Sequence, residues 1–384
     1  MGTLVSHGFG LSLVPAMLPR IEEDFQSGYG ALGVAVATGL IAYALGSVLA
    51  SPIMRLVPTR GLLVGTFAVT GVGFLVTAFA SSPTYIAVAV VLLGLSAPVS
   101  WTATMHVARE TVSSDSLSTV SAGASGGASV GVILNGVLVQ TSGSIHTWRA
   151  SFFVAAIVAV AVIVIALAVL RQPVPKPDSS GIALIGVFRR VLADPSGRMI
   201  VATSAISGIT LFTLATFLTA TAIDEIGVSD TAAALLLGIA GMVGLGSALG
   251  FGRVGDRRTP TFAITVAMAL YAATLAILGA GWSYSVLVVA VIGYGILNGP
   301  VWGLMGAAAN RRFTAELAVG AVSLGLVASA LAGAIGNSVS GMWLEATGSM
   351  RGPVLMLALM ASAFTLYLIR ETRRAQNVKV ETRV

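Results

Sequence analysis

Twelve long apolar runs follow one another along this 384-residue chain, and all of its 21 Lys and Arg and 15 Asp and Glu residues lie outside them. The runs fall near 2–19, 31–54, 61–81, 84–107, 117–140, 150–170, 199–222, 231–251, 260–280, 284–308, 317–343 and 352–369. A hydrocarbon core about 30 Å thick needs about 20 helical residues at about 1.5 Å each, and backbone groups in lipid must bond within their own segment. Each run meets that length. With 9% charged residues against roughly 25% in ordinary soluble domains, the chain has too little charge to cover a water-facing surface. The expected fold class is therefore all-α and integral to the membrane, with twelve transmembrane helices. The first run lacks the cationic lead and the small-residue cleavage site of a secretory signal, so it is expected to stay as helix one.

The basic residues fix the expected orientation. With both termini cytoplasmic, all Lys and Arg lie on the inner side except Arg20, Arg149 and Arg351, as the positive-inside rule requires. Anchoring beside anionic lipid accounts for the formal net charge of +6, so no nucleic-acid partner is expected. Cysteine is absent, which excludes disulfides, thiolate metal sites and cysteine nucleophiles.

A shift of 202 positions superposes landmarks of the two halves: Glu23 on Glu225, Ser27 on Ser229, Pro58 on Pro260, Pro98 on Pro300, Arg109 on Arg311, Asn135 on Asn337 and Arg149 on Arg351. A constant offset over six spans implies two pseudo-symmetric six-helix bundles, the repeat arrangement of alternating-access transporters. The expected organisation is a first bundle at 1–170, a cytoplasmic linker at 171–198, a second bundle at 199–370 and a cytoplasmic tail at 371–384. The linker carries Pro173, Pro175, Pro177, Asp178, Ser179 and Ser180, then an apolar-basic stretch around Phe188, Arg189 and Arg190 that reads as an amphipathic surface helix.

Three local motifs carry a family resemblance. The connector after the eighth span reads Gly252-Arg253-Val254-Gly255-Asp256-Arg257-Arg258, the sixth span opens Trp148-Arg149-Ala150-Ser151-Phe152, and the first ends Leu18-Pro19-Arg20-Ile21-Glu22-Glu23-Asp24-Phe25. Together with the twelve spans and the repeat, they resemble the major facilitator superfamily of secondary transporters. The resemblance implies a gating role for Asp256, with Arg253 and Arg257 as its partners. The first-half copy of that loop is eroded, because the repeat puts Met54 where the aspartate would stand, followed by Arg55, Pro58 and Arg60. The fourth span has Val90, Val91, Leu92 and Leu93 ahead of Gly94, without the intramembrane arginine of several proton-coupled antiporters. The fifth has Gly123, Gly127, Gly131 and Gly136 but no glycine-proline pair.

The resemblance further implies a central cavity lined by spans one, four, seven and ten. Span ten carries Tyr294, Asn298 and Trp302 on one face, interrupted by Pro300. Span four has Pro98, with Thr102 and His106 on its stripe and Trp101 beside it, and span seven offers Thr203, Ser207 and Thr210. The expected substrate-binding set is His7, Trp101, Thr102, Ser207, Thr210, Tyr294, Asn298 and Trp302. His7 is the titratable group near the midplane of span one and the candidate for carrying a coupling proton. His106 reads as a solvated anchor, and Asn135 and Asn337 as interhelical glue.

No Asp or Glu falls inside a span, so a multiply charged cargo would lack its countercharge. The expected cargo is a small uncharged or weakly charged organic solute, moved by secondary active or facilitative transport through alternating access of a monomer in the cell membrane, without any cofactor. Alternatives are efflux of amphipathic drugs or metabolites by proton antiport, and a sensor on the same fold that binds without turnover. A membrane enzyme lacks its usual equipment, since there is no H-E-x-x-H motif and the histidines stand apart at 7, 106 and 146.

Overall fold

The computed structural model describes residues 1–141, 147–170 and 184–381, so His146 and the proline-rich stretch from Pro173 to Ser180 lie outside the described residues. Among the described residues all regular structure is helical. Helix α1 comes in pieces: a π-helical turn Leu4–Phe9, then Gly10–Ala16 and, past Met17, Leu18–Phe25. The next five are α2 (Tyr29–Leu56), α3 (Thr59–Ala78), α4 (Pro83–Thr111), α5 (Leu117–Thr141) and α6 (Trp148–Val169). Helix α7 spans Pro195–Glu225 with π-helical turns at Gly208–Phe212 and Thr221–Glu225. After it come α8 (Asp230–Arg257), α9 (Pro260–Ala280), α10 (Tyr284–Arg312), α11 (Ala315–Thr347) and α12 (Arg351–Glu381). Helices α2 to α12 are each long and apolar enough to cross a membrane, and α1 contributes the shorter apolar stretch Leu4–Ala16.

Sequence and structure differ most in α1. The apolar pattern predicts one unbroken helix over 2–19, whereas the chain breaks at Met17 and resumes to Phe25. Pro19 has no N–H to return to the carbonyl of Pro15, four residues back. That carbonyl accepts the Thr219 hydroxyl of α7 at 3.4 Å. Several helices also overshoot their apolar runs, carrying charged residues out on their ends. Helix α12 continues to Glu381, through most of the stretch read as a tail.

The repeat is visible in the packing. In the first half α2 packs on α4, α4 on α3 and α3 on α6; in the second, α8 packs on α10, α10 on α9 and α9 on α12. Under the offset of 202 the π-helical turn at Leu4–Phe9 falls on 206–211 and overlaps the one at Gly208–Phe212. The end of the first helix is clasped to the start of the sixth in both halves. Asp24 pairs with Arg149 at 2.7 Å and accepts the Trp148 indole N–H, while Glu225 accepts the Met350 amide at 3.0 Å. The halves meet along α5 with α8 and along α2 with α11.

A short helix, Leu184–Ala193, precedes α7 where the sequence placed an amphipathic segment. Val187 and Val191 are buried, Val187 against Gly320 of α11, while Arg189 and Arg190 point outward. Asp194 then caps α7 by accepting the Ser196 amide at 2.8 Å, and it pairs with Arg312 at the end of α10. The hydrogen bond from Arg312 leads in holding its carboxyl below the usual value, against partial burial. This depressed value makes the clasp a contribution present at neutral pH and lost as pH falls through the folded-state value.

Close helix contact inside the first half depends on glycine pairs. A Cβ on Gly131 of α5 or on Gly8 of α1 would fall about 2.6 Å or less from backbone of the other helix. Replacing Gly131 with Val overpacks that seam, at a typical cost of about 1–3 kcal/mol. Gly131→Val should therefore lower the thermal unfolding midpoint of purified protein, whereas Gly123→Ala, whose nearest neighbour would be 4.0 Å away, should leave it unchanged. Equal effects of the two substitutions would contradict this account of the seam.

Candidate functional site

A cavity of about 80 Å³ lies between the two halves, where α1, α2, α4 and α5 face α7, α10 and α11. From the first half come His7, Ser12, Pro15, Tyr43, Trp101 and Ser125; from the second, Phe212, Thr216, Tyr294, Asn298, Trp302 and Asn337. The rest of the lining is aliphatic, and among the described residues no carboxylate, lysine or arginine belongs to it. The halves also touch beyond the cavity at both ends. On the side of the connector between α1 and α2, Arg20 pairs with Asp230; on the other, Arg55 pairs with Glu316 at 2.9 Å.

His7 sits in the π-helical turn of α1, and its two ring nitrogens are both engaged. Nδ1 lies 2.9 Å from the Ser6 hydroxyl and Nε2 lies 3.3 Å from the Tyr43 hydroxyl. The imidazole also packs against the Trp101 ring, with centroids 5.5 Å apart. Across the cavity Trp302 stacks on Phe212 at 5.7 Å and 12°, and its indole N–H donates to Asn298 Oδ1 at 3.3 Å. A ring contact of this kind supplies an apolar face with defined geometry.

Of the residues singled out in the sequence, the structure gathers His7, Trp101, Tyr294, Asn298 and Trp302 around this cavity. Thr102, Ser207 and Thr210 lie elsewhere. The Thr102 hydroxyl donates back to the Pro98 carbonyl, and the residue lines a separate pocket of about 10 Å³ with His106, Arg109 and Asn310. The Thr203 and Thr210 hydroxyls donate to Met199 and Ile206 carbonyls of their own helix, and the Ser207 hydroxyl is buried with no hydrogen-bond partner among the described residues. His106, read as solvated, is 4% exposed. Helix α7 instead turns Phe212, Ala215 and Thr216 toward the cavity. Asn337 both lines the cavity and donates to Thr216 at 3.0 Å; its repeat mate Asn135 donates to the Gly8 carbonyl. Tyr43 went unnoticed in the sequence because the expected cavity was confined to spans one, four, seven and ten, although Tyr43 and Ser47 share one face of α2.

Asp256 stands at the last turn of α8 and caps α5 of the other half. Its carboxylate accepts the Ser118 and Thr119 amides at 3.0 Å each and the Thr119 hydroxyl at 2.7 Å. A negative group at a helix N-terminus is favoured both by the free N–H groups and by the helix dipole. The cation that joins it is Arg311 of α10, at 2.8 Å, where the sequence pointed to Arg253 and Arg257. Those two project outward from α8 and are exposed, because the turn that aims Asp256 at α5 aims its neighbours away. At the repeat-related position the polarity is reversed. Arg55 at the end of α2 meets Glu316 in the first turn of α11, so the acid comes from the capped helix and the cation from the capping one.

Asp256→Asn keeps the shape but loses the charge that the α5 terminus and Arg311 share. It should shift the balance between conformations open to either side, read by accessibility labelling of single cysteines in this cysteine-free chain, and Arg311→Gln should shift it in the same direction. Arg253→Gln should leave it where it was. A shift from Arg253→Gln equal to that from Arg311→Gln would contradict the assignment.

The fold recurs among solved transporters. The chain superposes on the E. coli fucose:proton symporter FucP with a TM-score of 0.70 at 15% identity, over 95% of this chain and 97% of that one. The nucleoside transporter NupG gives 0.72 at 12% identity, over 96% and 98%. The human organic anion transporter MFSD10 (TETRAN) gives 0.74 at 14% identity, again over 96% and 98%. At such identities the likeness establishes the fold. No curated protein matches the sequence. The sequence pattern of the Major Facilitator Superfamily, by contrast, matches residues 1–337. A twelve-helix chain with repeat-related halves, a cavity between them and that match belongs to the major facilitator superfamily.

Proposed function

We propose that this protein carries a small uncharged or weakly charged organic solute across the cell membrane by alternating access, with both termini in the cytoplasm. The observation that carries the reading is the lining of the cavity: hydroxyl, amide, imidazole and aromatic groups drawn from both halves, with no fixed charge among the described residues that line it. A charged cargo entering a site of low dielectric needs a countercharge, whereas a neutral polar one needs only hydrogen-bond partners for the groups it desolvates. Contacts between the halves at both ends of the cavity supply what alternate opening has to break, Arg20 with Asp230 at one and Asp256 with α5 at the other. The unit is a monomer, and the membrane-facing surface carries exposed aliphatic side chains such as Ile157, Leu359 and Leu366 suited to lipid.

Proton-coupled export is a second reading, favoured by one observation: His7 lines the cavity and is hydrogen-bonded through both nitrogens to Ser6 and Tyr43. The two readings part in reconstituted vesicles. Under the first, uptake of a neutral solute equilibrates and an imposed pH gradient leaves the final level unchanged. Under the second, a pH gradient drives accumulation, and His7→Gln abolishes it while sparing counterflow. A protein that binds solute yet exchanges none across the bilayer would be a sensor, and both transport readings would fall.

A further inference from the structure

The hydrogens on the two walls of the cavity can be assigned by counting. The Ser6 hydroxyl has one hydrogen and donates it to the Gly2 carbonyl at 3.1 Å. Both contacts are met at once only if it accepts from His7, which places the imidazole hydrogen on Nδ1. In the neutral ring Nε2 is then an acceptor, so the Tyr43 hydroxyl donates to it. With its one hydrogen committed, Tyr43 shows the cavity only lone pairs.

The opposite wall is fixed in the other sense. An indole N–H can only donate, so the amide atom that faces Trp302 Nε1 must be Asn298 Oδ1, as observed. That orientation turns the Asn298 Nδ2 away from Trp302. Asn298 is partly exposed and lines the cavity, and its two amide hydrogens have no partner among the described residues. Tyr294, one turn earlier on α10, can give or take a hydrogen bond and sets no polarity. Between the two walls lie the apolar faces of Trp101 and of the Trp302–Phe212 stack.

We infer that the cavity selects an uncharged solute with a hydrogen-bond donor at one edge, placed on Tyr43 Oη, an acceptor at the other, placed on Asn298 Nδ2, and an apolar body between the indoles. The inference rests on the neutral-solute reading above and narrows it. His7 is a positioning residue here: by accepting from Tyr43 it holds that hydroxyl as an acceptor toward the solute. A solute lacking either group leaves one wall desolvated without a partner, and discrimination of this kind is strong because the penalty falls on buried polar atoms.

The test is binding calorimetry on the full-length purified protein with four probes that hold their groups at opposite ends of a ring. 4-Aminoacetophenone carries a donor at one end and an acceptor at the other, 4-(dimethylamino)acetophenone only the acceptor, 4-ethylaniline only the donor, and 4-acetylbenzoate a charge. 4-Aminoacetophenone should bind about tenfold or more tightly than either single-function probe, one lost buried hydrogen bond each. Tyr43→Phe should abolish its advantage over 4-(dimethylamino)acetophenone, and Asn298→Leu its advantage over 4-ethylaniline. The unmodified protein alone tests the ranking, should either variant fail to fold. Equal affinity for the three uncharged probes, or no measurable binding of 4-aminoacetophenone, overturns the inference. Tightest binding of 4-acetylbenzoate instead overturns the neutral-solute reading itself.

Discussion

A polar group carried into hydrocarbon finds no water to bond with, so whatever this chain brings into the membrane it must satisfy from its own atoms. The backbone does so by forming helices, and many side chains by bonding back to their own helix or across a seam, while a few, such as the Ser207 hydroxyl, are buried without a partner among the described residues. Thr70, Thr77, Ser100 and Thr203 all return their hydroxyls to carbonyls three or four residues earlier. Asn135 and Asn337 reach across to α1 and α7. Charge is pushed to the helix ends, where it joins one element to another. The middle of the molecule is left with polar groups that carry no net charge.

That separation divides the work of the molecule. The ends hold charged clasps between the halves: a carboxylate on a helix terminus with a guanidinium behind it at Asp256, and the reversed pair of Arg55 and Glu316 at the repeat-related place. Partly exposed ion pairs are individually weak, as contacts would have to be if the proposed alternating access opens them. The centre holds a cavity whose lining comes from both halves, so a solute that bridges Tyr43 and Asn298 ties one half to the other.

The spans and the repeat were legible in the sequence because exclusion of charge from lipid acts residue by residue and needs no tertiary information. The stripe Tyr294, Asn298 and Trp302 could be read because a proline and an asparagine inside a span are costly without a cavity. Other features depended on how helices sit against each other. Periodicity shows that Thr203, Ser207 and Thr210 share a face, but not which way the face points. The π-helical turn at Gly208–Phe212 adds a residue to the ladder and rotates the rest of α7, bringing Phe212 and Thr216 to the cavity in place of Thr210. Arg311 could not be chosen over Arg253 and Arg257 from the sequence, because it lies on a different helix from Asp256 and meets it only through the packing of α8 on α10.

The central claim is that the two halves must part at the end where Arg55 meets Glu316 for solute to cross. The natural absence of cysteine allows a direct measurement. Cysteines placed at both positions, joined by a short reducible bifunctional thiol reagent, should stop solute exchange in proteoliposomes, and reduction should restore it. Exchange that proceeds undiminished with the link in place would contradict the account.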